Sequence, residues 1–374
     1  MLKRIDKADD KTIVIEFSRP MKTVSTVPVM SINGVDDTGI IDKIVFHSVS
    51  EELDLLYKDL ISYYIRILRR LDLDKGMIFL TAASLDNMKR ISLFEDNVEI
   101  FMTIGFEPAS CIEYENIFEP LKISTINIVV ATNYPLTINA MTDLLKTIVE
   151  AKTLASSDIL LRCRSRSSGT ITDAIAILRP AEVEEKMLFA GIATYIGNKI
   201  AREIYNAVKT EYFRKGEEYY LKNILGLDLK ELLEIFSDVY RRAPLPDVDE
   251  KIILKEAEDL LREFLKDPNV WSMIIAAREL DLHGIAETIP YLTRSEYKSD
   301  SKKIVADEII GISLAMYLSG LKGLFAMYWI ERLKEDKSIK YFTQDNMFED
   351  DIISAIIASL LTRILDKYMS RGLS

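Results

Sequence analysis

The chain has little of what the commonest catalytic and metal-binding sets are made from. Its 374 residues include two histidines, His47 and His283, and two cysteines, Cys111 and Cys163. Neither histidine lies near a serine or cysteine in a nucleophile motif. That argues against Ser-His-Asp or Cys-His chemistry and leaves each histidine a structural or exposed residue. Two cysteines do not make a disulfide framework, and a reducing, cytoplasmic compartment is the simpler expectation. Basic runs are equally scarce. Net charge is −11, and no stretch has the footprint of a nucleic-acid binder. The densest positive stretch, R-C-R-S-R (162–166), suits either an anionic ligand or a solvated strand edge. The start M-L-K-R-I-D-K-A-D-D holds no apolar stretch, so no secretory signal is expected. One apolar run, 309–330, is long enough to cross a bilayer, but Gly311, Gly320, Gly323 and Lys322 interrupt it. It reads as two buried helices broken near Gly320, with no membrane span.

What is present is enough for a core. An apolar fraction of 48% places the chain among globular proteins, and its length suggests two domains or one large one. Residues 1–180 carry short β-branched and aromatic runs that read as strands, at 12–17, 42–47, 77–81, 99–104, 126–132 and 172–178. Helices are expected at about 51–70, where Leu53, Leu56, Ile61, Ile65 and Leu68 recur at helical spacing, and at about 136–155 and 185–210. Residues 224–374 hold no convincing strand; helices are expected near 228–240, 249–266, 269–282, 303–319, 323–335 and 349–369. Asp267-Pro268-Asn269 is a helix start, with Asp267 as N-cap and Pro268 at the first helical position. The expected fold class is α+β, an N-terminal mixed α/β-sheet domain followed by an all-α helical domain. The prolines of A-P-L-P-D-V-D (243–249) have the composition of a linker.

Five carboxylates stand out near the C-terminus. Asp300, Asp307 and Glu308 open S-D-S-K-K-I-V-A-D-E-I-I-G (299–311); Asp350 and Asp351 open F-E-D-D-I-I-S-A-I-I-A-S-L-L (348–361). Singly, each is an ordinary first-turn residue favoured by the helix dipole. Together they sit at the mouths of two apolar helices. From Ile309 to Ile330 the one charge is Lys322, so that helix is expected to be central, with little solvated face for acids. Converging carboxylates without a local cation need a partner, and hard oxygen donors favour Mg²⁺ or Ca²⁺. All five are candidate metal ligands for one or two Mg²⁺ ions, and Asp307, Glu308, Asp350 and Asp351 are candidate catalytic residues. Asp307 and Glu308 project about 100° apart on a helix, so both need not be ligands. The chemistry implied is phosphate-ester hydrolysis.

V-A-D-E-I-I-G (305–311), the spacing back to Asp300, D-P-N-V (267–270) and E-D-D-I-I-S-A-I-I-A (349–358) resemble the phosphatidylglycerophosphatase A superfamily. The nearest resemblance is to its soluble archaeal branch, the α-ribazole-5′-phosphate phosphatases of cobalamin assembly. It covers roughly 222–374 and absorbs the proline-rich 243–249. It implies a helical phosphatase domain with bound Mg²⁺. At Ser299-Asp300-Ser301 the chain departs from the family's Gly-Asp-Pro, keeping the acid but not the turn residues.

The first half is less legible. Asn127 lies inside a β run, where a polar side chain needs a partner. Glu150 and Lys152 interrupt a quiet stretch in V-E-A-K-T (149–153), and S-G-T-I-T-D (168–173) leads into an apolar strand. The plain alternative is a turn with Ser, Gly, Thr and Asp in their usual roles. T-I-N-I-V-V-A-T-N-Y-P-L, V-E-A-K-T, G-T-I-T-D-A-I-A-I and A-G-I-A-T-Y-I-G-N-K-I, in that order, resemble the adenosylcobinamide amidohydrolases, which remove the aminopropanol arm from cobinamide. Thr81-Ala82-Ala83 and M-T-I-G (102–105) are compatible with it. The resemblance implies catalytic roles for Glu150, Lys152 and Asp173, and substrate binding by Asn127, Gly169, Thr170, Thr172 and Thr103. Asn127, Glu150, Lys152, Thr170, Thr172 and Asp173 are expected to line one pocket. Ile171 replaces a glycine of the family's usual G-T-G-T-D, and Ala193-Thr194 stands where a His-Thr pair is frequent.

The two resemblances belong to one pathway. They imply a cytoplasmic, bifunctional cobinamide-salvage hydrolase with an amidohydrolase domain over 1–215 and a phosphatase domain over 222–374. Its substrates would be a corrinoid and α-ribazole phosphate or a cobalamin phosphate, its metal Mg²⁺, with no nucleic-acid partner and an oligomer possible. The rival readings are a phosphatase whose first domain only binds corrinoid, and a corrinoid-binding protein with no hydrolysis.

Overall fold

The computed structural model of the protein describes residues 1–49, 59–112, 125–246, 248–299, 303–335 and 346–371. The chain divides into two compact units, Met1–Arg214 and Lys215–Ser374. The fold is α+β, a mixed sheet in the first unit and helices throughout the second.

The first unit is built on a ten-stranded sheet. Its strands are β1 (Leu2–Asp9), β2 (Thr12–Ser25), β3 (Val29–Ser31), β4 (Gly34–Val35), β5 (Ile40–Ser48), β6 (Lys75–Thr81), β7 (Lys89–Leu93), β8 (Val98–Ile104), β10 (Ile126–Thr132) and β12 (Ala174–Pro180). The order is β4-β3-β6-β5-β2-β12-β10-β8-β7, with β1 paired to β2. Two pairs are parallel, β5 with β6 and β10 with β12. Parallel neighbours need a crossover, and each pair has a helix in its connection: α1 (Leu60–Arg70) and α2 (Ile138–Asp158). All of I-N-I-V-V-A-T in β10 is buried, as expected of a strand covered on both faces. Thr137 caps α2, its hydroxyl accepting from the Ala140 N–H at 3.1 Å. Helix α3 (Tyr195–Arg214) packs along α2.

A separate two-stranded ribbon joins β9 (Ala109–Cys111) to β11 (Ser167–Thr170). Next to it, Cys111 and Cys163 form a disulfide with Cα atoms 6.1 Å apart. This corrects the expectation that the cysteines build no framework. They are 52 residues apart in sequence, and the pairing of β9 with β11 brings them together.

The second unit contains α4 (Glu217–Leu225), α5 (Leu229–Tyr240), α6 (Glu250–Phe264), α7 (Pro268–Ile285), α8 (Arg294–Lys298), α9 (Ala306–Glu335) and α10 (Met347–Arg371). Residues 243–246 and 248–249 lie between α5 and α6, inside this unit. Asp267 caps α7 with Pro268 at its start, as its sequence predicts. Helix α9 breaks at Gly320, where φ is +67°. The break falls where it was expected, but the burial does not. Ile309, Leu321, Phe325 and Tyr328 are 58–72% exposed. The helix is long and apolar enough to cross a membrane by length and composition, and 28% of its most apolar window is buried. The central helix is α10, whose residues from Asp351 to Thr362 are all buried. Both helices are apolar on nearly every side, and such a pattern does not say which is enclosed.

Candidate functional sites

In the first unit, five of the six residues expected to share a pocket are brought together. Asp173, just ahead of β12, is the hub. Its carboxylate accepts from the Ile126 N–H at 2.8 Å, the Thr170 N–H at 3.0 Å and the Thr170 hydroxyl, and it pairs with the Lys152 ammonium. Lys152, on α2, also donates to the Ser168 carbonyl at 2.9 Å. Both side chains are about 10% exposed. Burial of opposite charges is tolerated when the hydrogen-bonding capacity of each is met, and Asp173 meets this with four donors. Gly169, at φ +139°, closes the floor: a Cβ there would overlap both the Lys152 ammonium and the Asp173 carboxylate.

Asn127 ties strands around this hub. Its amide donates to the Leu80 carbonyl at 2.9 Å and its oxygen accepts from the Thr125 hydroxyl at 2.8 Å. Thr125 also donates to the Thr172 carbonyl at 2.9 Å, so Thr172 contributes backbone while its side chain is exposed. Thr103 sits opposite Asn127 on β8, and its buried hydroxyl has no hydrogen-bond partner among the described residues. Directly opposite residues of neighbouring strands share a face, so Thr103 belongs to this cluster.

Glu150 does not join them. It is two residues from Lys152 on α2, hence about 200° around the helix. It lines a separate cavity of about 300 Å³ between α2 and α3, with Thr147, Leu154, Ile192, Arg202 and Tyr205. The expected six-residue pocket is corrected to a five-residue hub and a distinct groove. Ile171, in place of the family glycine, is 40% exposed and has no positive φ, so this backbone does not require glycine there. Ala193 is exposed near the groove, two residues before the start of α3. His47 is buried and satisfied by Thr12 at 3.0 Å and Tyr63 at 3.1 Å.

In the second unit, Asp307, Glu308 and Asp351 present carboxylate oxygens within 4.8 Å of one another. The first two lie in the first turn of α9 and the third lies one turn into α10. Gly311 permits that approach, since a Cβ there would stand 3.0 Å from the Asp351 carbonyl. Burial, then Glu308, pushes Asp307 up to about 8. Burial, then Glu331, pushes Asp351 up to about 8 against the pull of Lys334. Asp307 Oδ1 and Asp351 Oδ2 are buried with no hydrogen-bond partner among the described residues. Orphaned hard oxygens facing like charge are what a divalent cation satisfies, so these three side chains fit Mg²⁺.

Asp350 departs from the expectation. It pairs with Lys334 at 2.7 Å, and Lys334 also pairs with Glu331 at 2.9 Å. Asp351 lies 3.7 Å from the same ammonium. The acids therefore do have a local cation. Burial works against the charge on Lys334, but Asp350 and Glu331 outweigh it and hold the ammonium above its ordinary range. Sequence reading missed Lys334 because it sits near the far end of α9, more than twenty residues from Asp307. Asp300 lies outside the described residues. A further buried acid, Asp281 on α7, caps α10: it accepts from the Phe348 N–H at 3.0 Å and the Glu349 N–H at 2.9 Å, and Tyr297 donates to it at 2.6 Å.

The first unit is thus a mixed-sheet domain with a buried Lys–Asp pair, hydroxyls and an amide gathered at strand ends. Residues 2–218 match the family model of the adenosylcobinamide amidohydrolases, and the chain belongs to that family. An uncharacterized protein of Methanocaldococcus jannaschii, MJ1330, is 26% identical over 114 residues, 30% of this chain and 87% of that protein. Among solved structures, the low temperature requirement C protein of Listeria monocytogenes is similar at 17% identity and a TM-score of 0.34, over 41% of this chain and 94% of the other. Protein ypjQ of Bacillus subtilis is similar at 19% identity and a TM-score of 0.32, over 39% and 88%.

Proposed function

We propose that the first unit hydrolyses the amide of adenosylcobinamide, giving adenosylcobyric acid and aminopropanol, and that the Lys152–Asp173 hub is where it does so. The family match over 2–218 carries this reading, and the convergence of family-like segments on one hub supports it. Asp173 is fully engaged and orients Lys152. Two of the three ammonium donors are used, by Asp173 and Ser168. The third donates to the amide carbonyl and stabilises the negative charge that develops on it. The unpartnered Thr103 hydroxyl is a second donor for the same group. Glu150, across the helix, lines the groove and contacts the substrate beyond the scissile bond. The test is release of aminopropanol from adenosylcobinamide by the full chain.

For the second unit we propose Mg²⁺-dependent hydrolysis of a phosphate ester, α-ribazole-5′-phosphate or a cobalamin phosphate. The orphaned oxygens of Asp307 and Asp351 support it. Asp307, Glu308 and Asp351 hold the ion, which when bound neutralises a phosphate. Lys334 and Asp350 form a charged pair beside it. Release of inorganic phosphate that stops with EDTA is the test. If phosphate is released but aminopropanol never is, the first unit is a corrinoid-binding domain.

A further inference from the structure

We propose that Cys111 and Cys163 are a thiol–disulfide exchange site that locks the Lys152–Asp173 hub. The catalytic consequence rests on the amidohydrolase reading; the locking itself does not. The disulfide closes one end of the β9–β11 ribbon, with Ser167 opposite Cys111, Gly169 opposite Ser110 and Thr170 opposite Ala109. Gly169 and Thr170 are the residues that cradle Lys152 and Asp173, and the Ser168 carbonyl between them and the bridge accepts from Lys152. Hydrogen bonds tie the same end. Ser165 donates to the Ile112 carbonyl at 2.6 Å and Ser168 to the Ser110 carbonyl at 3.4 Å. Among the described residues the ribbon has no strand partner in the main sheet. Two strands outside a larger sheet hold their register weakly on their own; β11 also packs on α2, and the covalent bond fixes the far end of the ribbon.

The site is also suited to exchange. Both cysteines are half-buried rather than enclosed, so a small reductant reaches them. Exchange begins with a thiolate of the reductant and needs only access to one of the two sulfurs. The reaction is a two-electron exchange with a dithiol. One thiolate of the reductant attacks a protein sulfur, the S–S bond breaks, and the other cysteine leaves as a thiolate and takes up a proton. The reductant's second thiol then displaces the first cysteine. The dithiol is oxidised to its cyclic disulfide, and the protein gains two thiols.

The experiment compares the full chain purified in air with the same protein equilibrated with dithiothreitol. Under denaturing conditions the oxidised form should titrate no thiols and the reduced form two. Amide hydrogen exchange at Ser168–Thr170 should quicken at least tenfold on reduction while exchange within β10 stays unchanged. Amide hydrolysis should fall at least tenfold and recover on reoxidation. Cys111→Ser should match the reduced wild type in both buffers. Equal exchange at Ser168–Thr170 in both states would overturn the proposal, as would two free thiols in the air-purified protein. If exchange responds but neither state releases aminopropanol, the lock stands and the amidohydrolase reading falls.

Discussion

Lys152 on α2 and Asp173 just ahead of β12, 21 residues apart, meet as a buried ion pair that also receives two backbone N–H groups. Removing one member of such a pair leaves an uncompensated charge, which costs about 3–5 kcal/mol. Asp173→Asn should therefore destabilise the first unit by roughly that amount in urea unfolding and abolish aminopropanol release. Lys152→Met should behave alike. The double change Lys152→Met with Asp173→Leu should recover much of the stability and none of the activity. A double variant as unstable as either single one contradicts the pairing.

Gly169→Ala isolates the floor of the hub from its charges. The position has φ +139°, and a Cβ would collide with both charged groups. The expected cost is about 1–3 kcal/mol, from backbone strain and displaced partners. An unchanged midpoint of thermal unfolding would show that the floor relaxes without effort.

Much of this was readable in the sequence. Every strand expected before residue 180 exists, because β-branched runs such as I-N-I-V-V-A-T fill a strand buried on both faces. The missed strands, β1, β3, β4, β7, β9 and β11, are short or polar and owe their existence to pairing partners. Motif order singled out Lys152, Thr170 and Asp173, which the structure brings into contact, whereas helical periodicity sends Glu150 to the far side of α2. The centrality of α10 over α9, the Lys334 pair and the disulfide all depend on long-range packing that no local pattern encodes.

The cluster at the helix mouths predicts opposite effects on stability and metal binding. Without metal, and above about pH 8 where Asp307 is ionised, Asp307→Asn removes like-charge repulsion at a buried site and should raise the unfolding temperature of the second unit. In wild type, saturating Mg²⁺ should stabilise by about 2.7 kcal/mol at a hundredfold excess over Kd. Asp307→Asn should lose that response. Calorimetry with and without EDTA reads both, and a wild type indifferent to Mg²⁺ removes the metal site.

Asp281 predicts a pH dependence. Burial, then repulsion from Glu349, pushes its carboxyl up to about 7 although Tyr297 and two N–H groups favour the charge. Arg278, on the same helix, pairs with Glu349 at 3.7 Å. A folded pKa above the unfolded one means that the folded state holds the extra proton between about pH 4 and 7. Stability contributed by this group is present at the acid end and is lost as pH rises through 7, by at most about 4 kcal/mol. Asp281→Asn should flatten that slope in denaturant titrations from pH 4 to 8. An equally steep slope in the variant assigns the effect to another group.

The most direct test of the whole account follows aminopropanol and phosphate together, with adenosylcobinamide and α-ribazole-5′-phosphate supplied to the full chain and to Asp173→Asn and Asp307→Asn. The account predicts both products from the wild type, aminopropanol alone from Asp307→Asn, and phosphate alone from Asp173→Asn. Aminopropanol release that persists in Asp173→Asn, with the hub's charge removed, would contradict it.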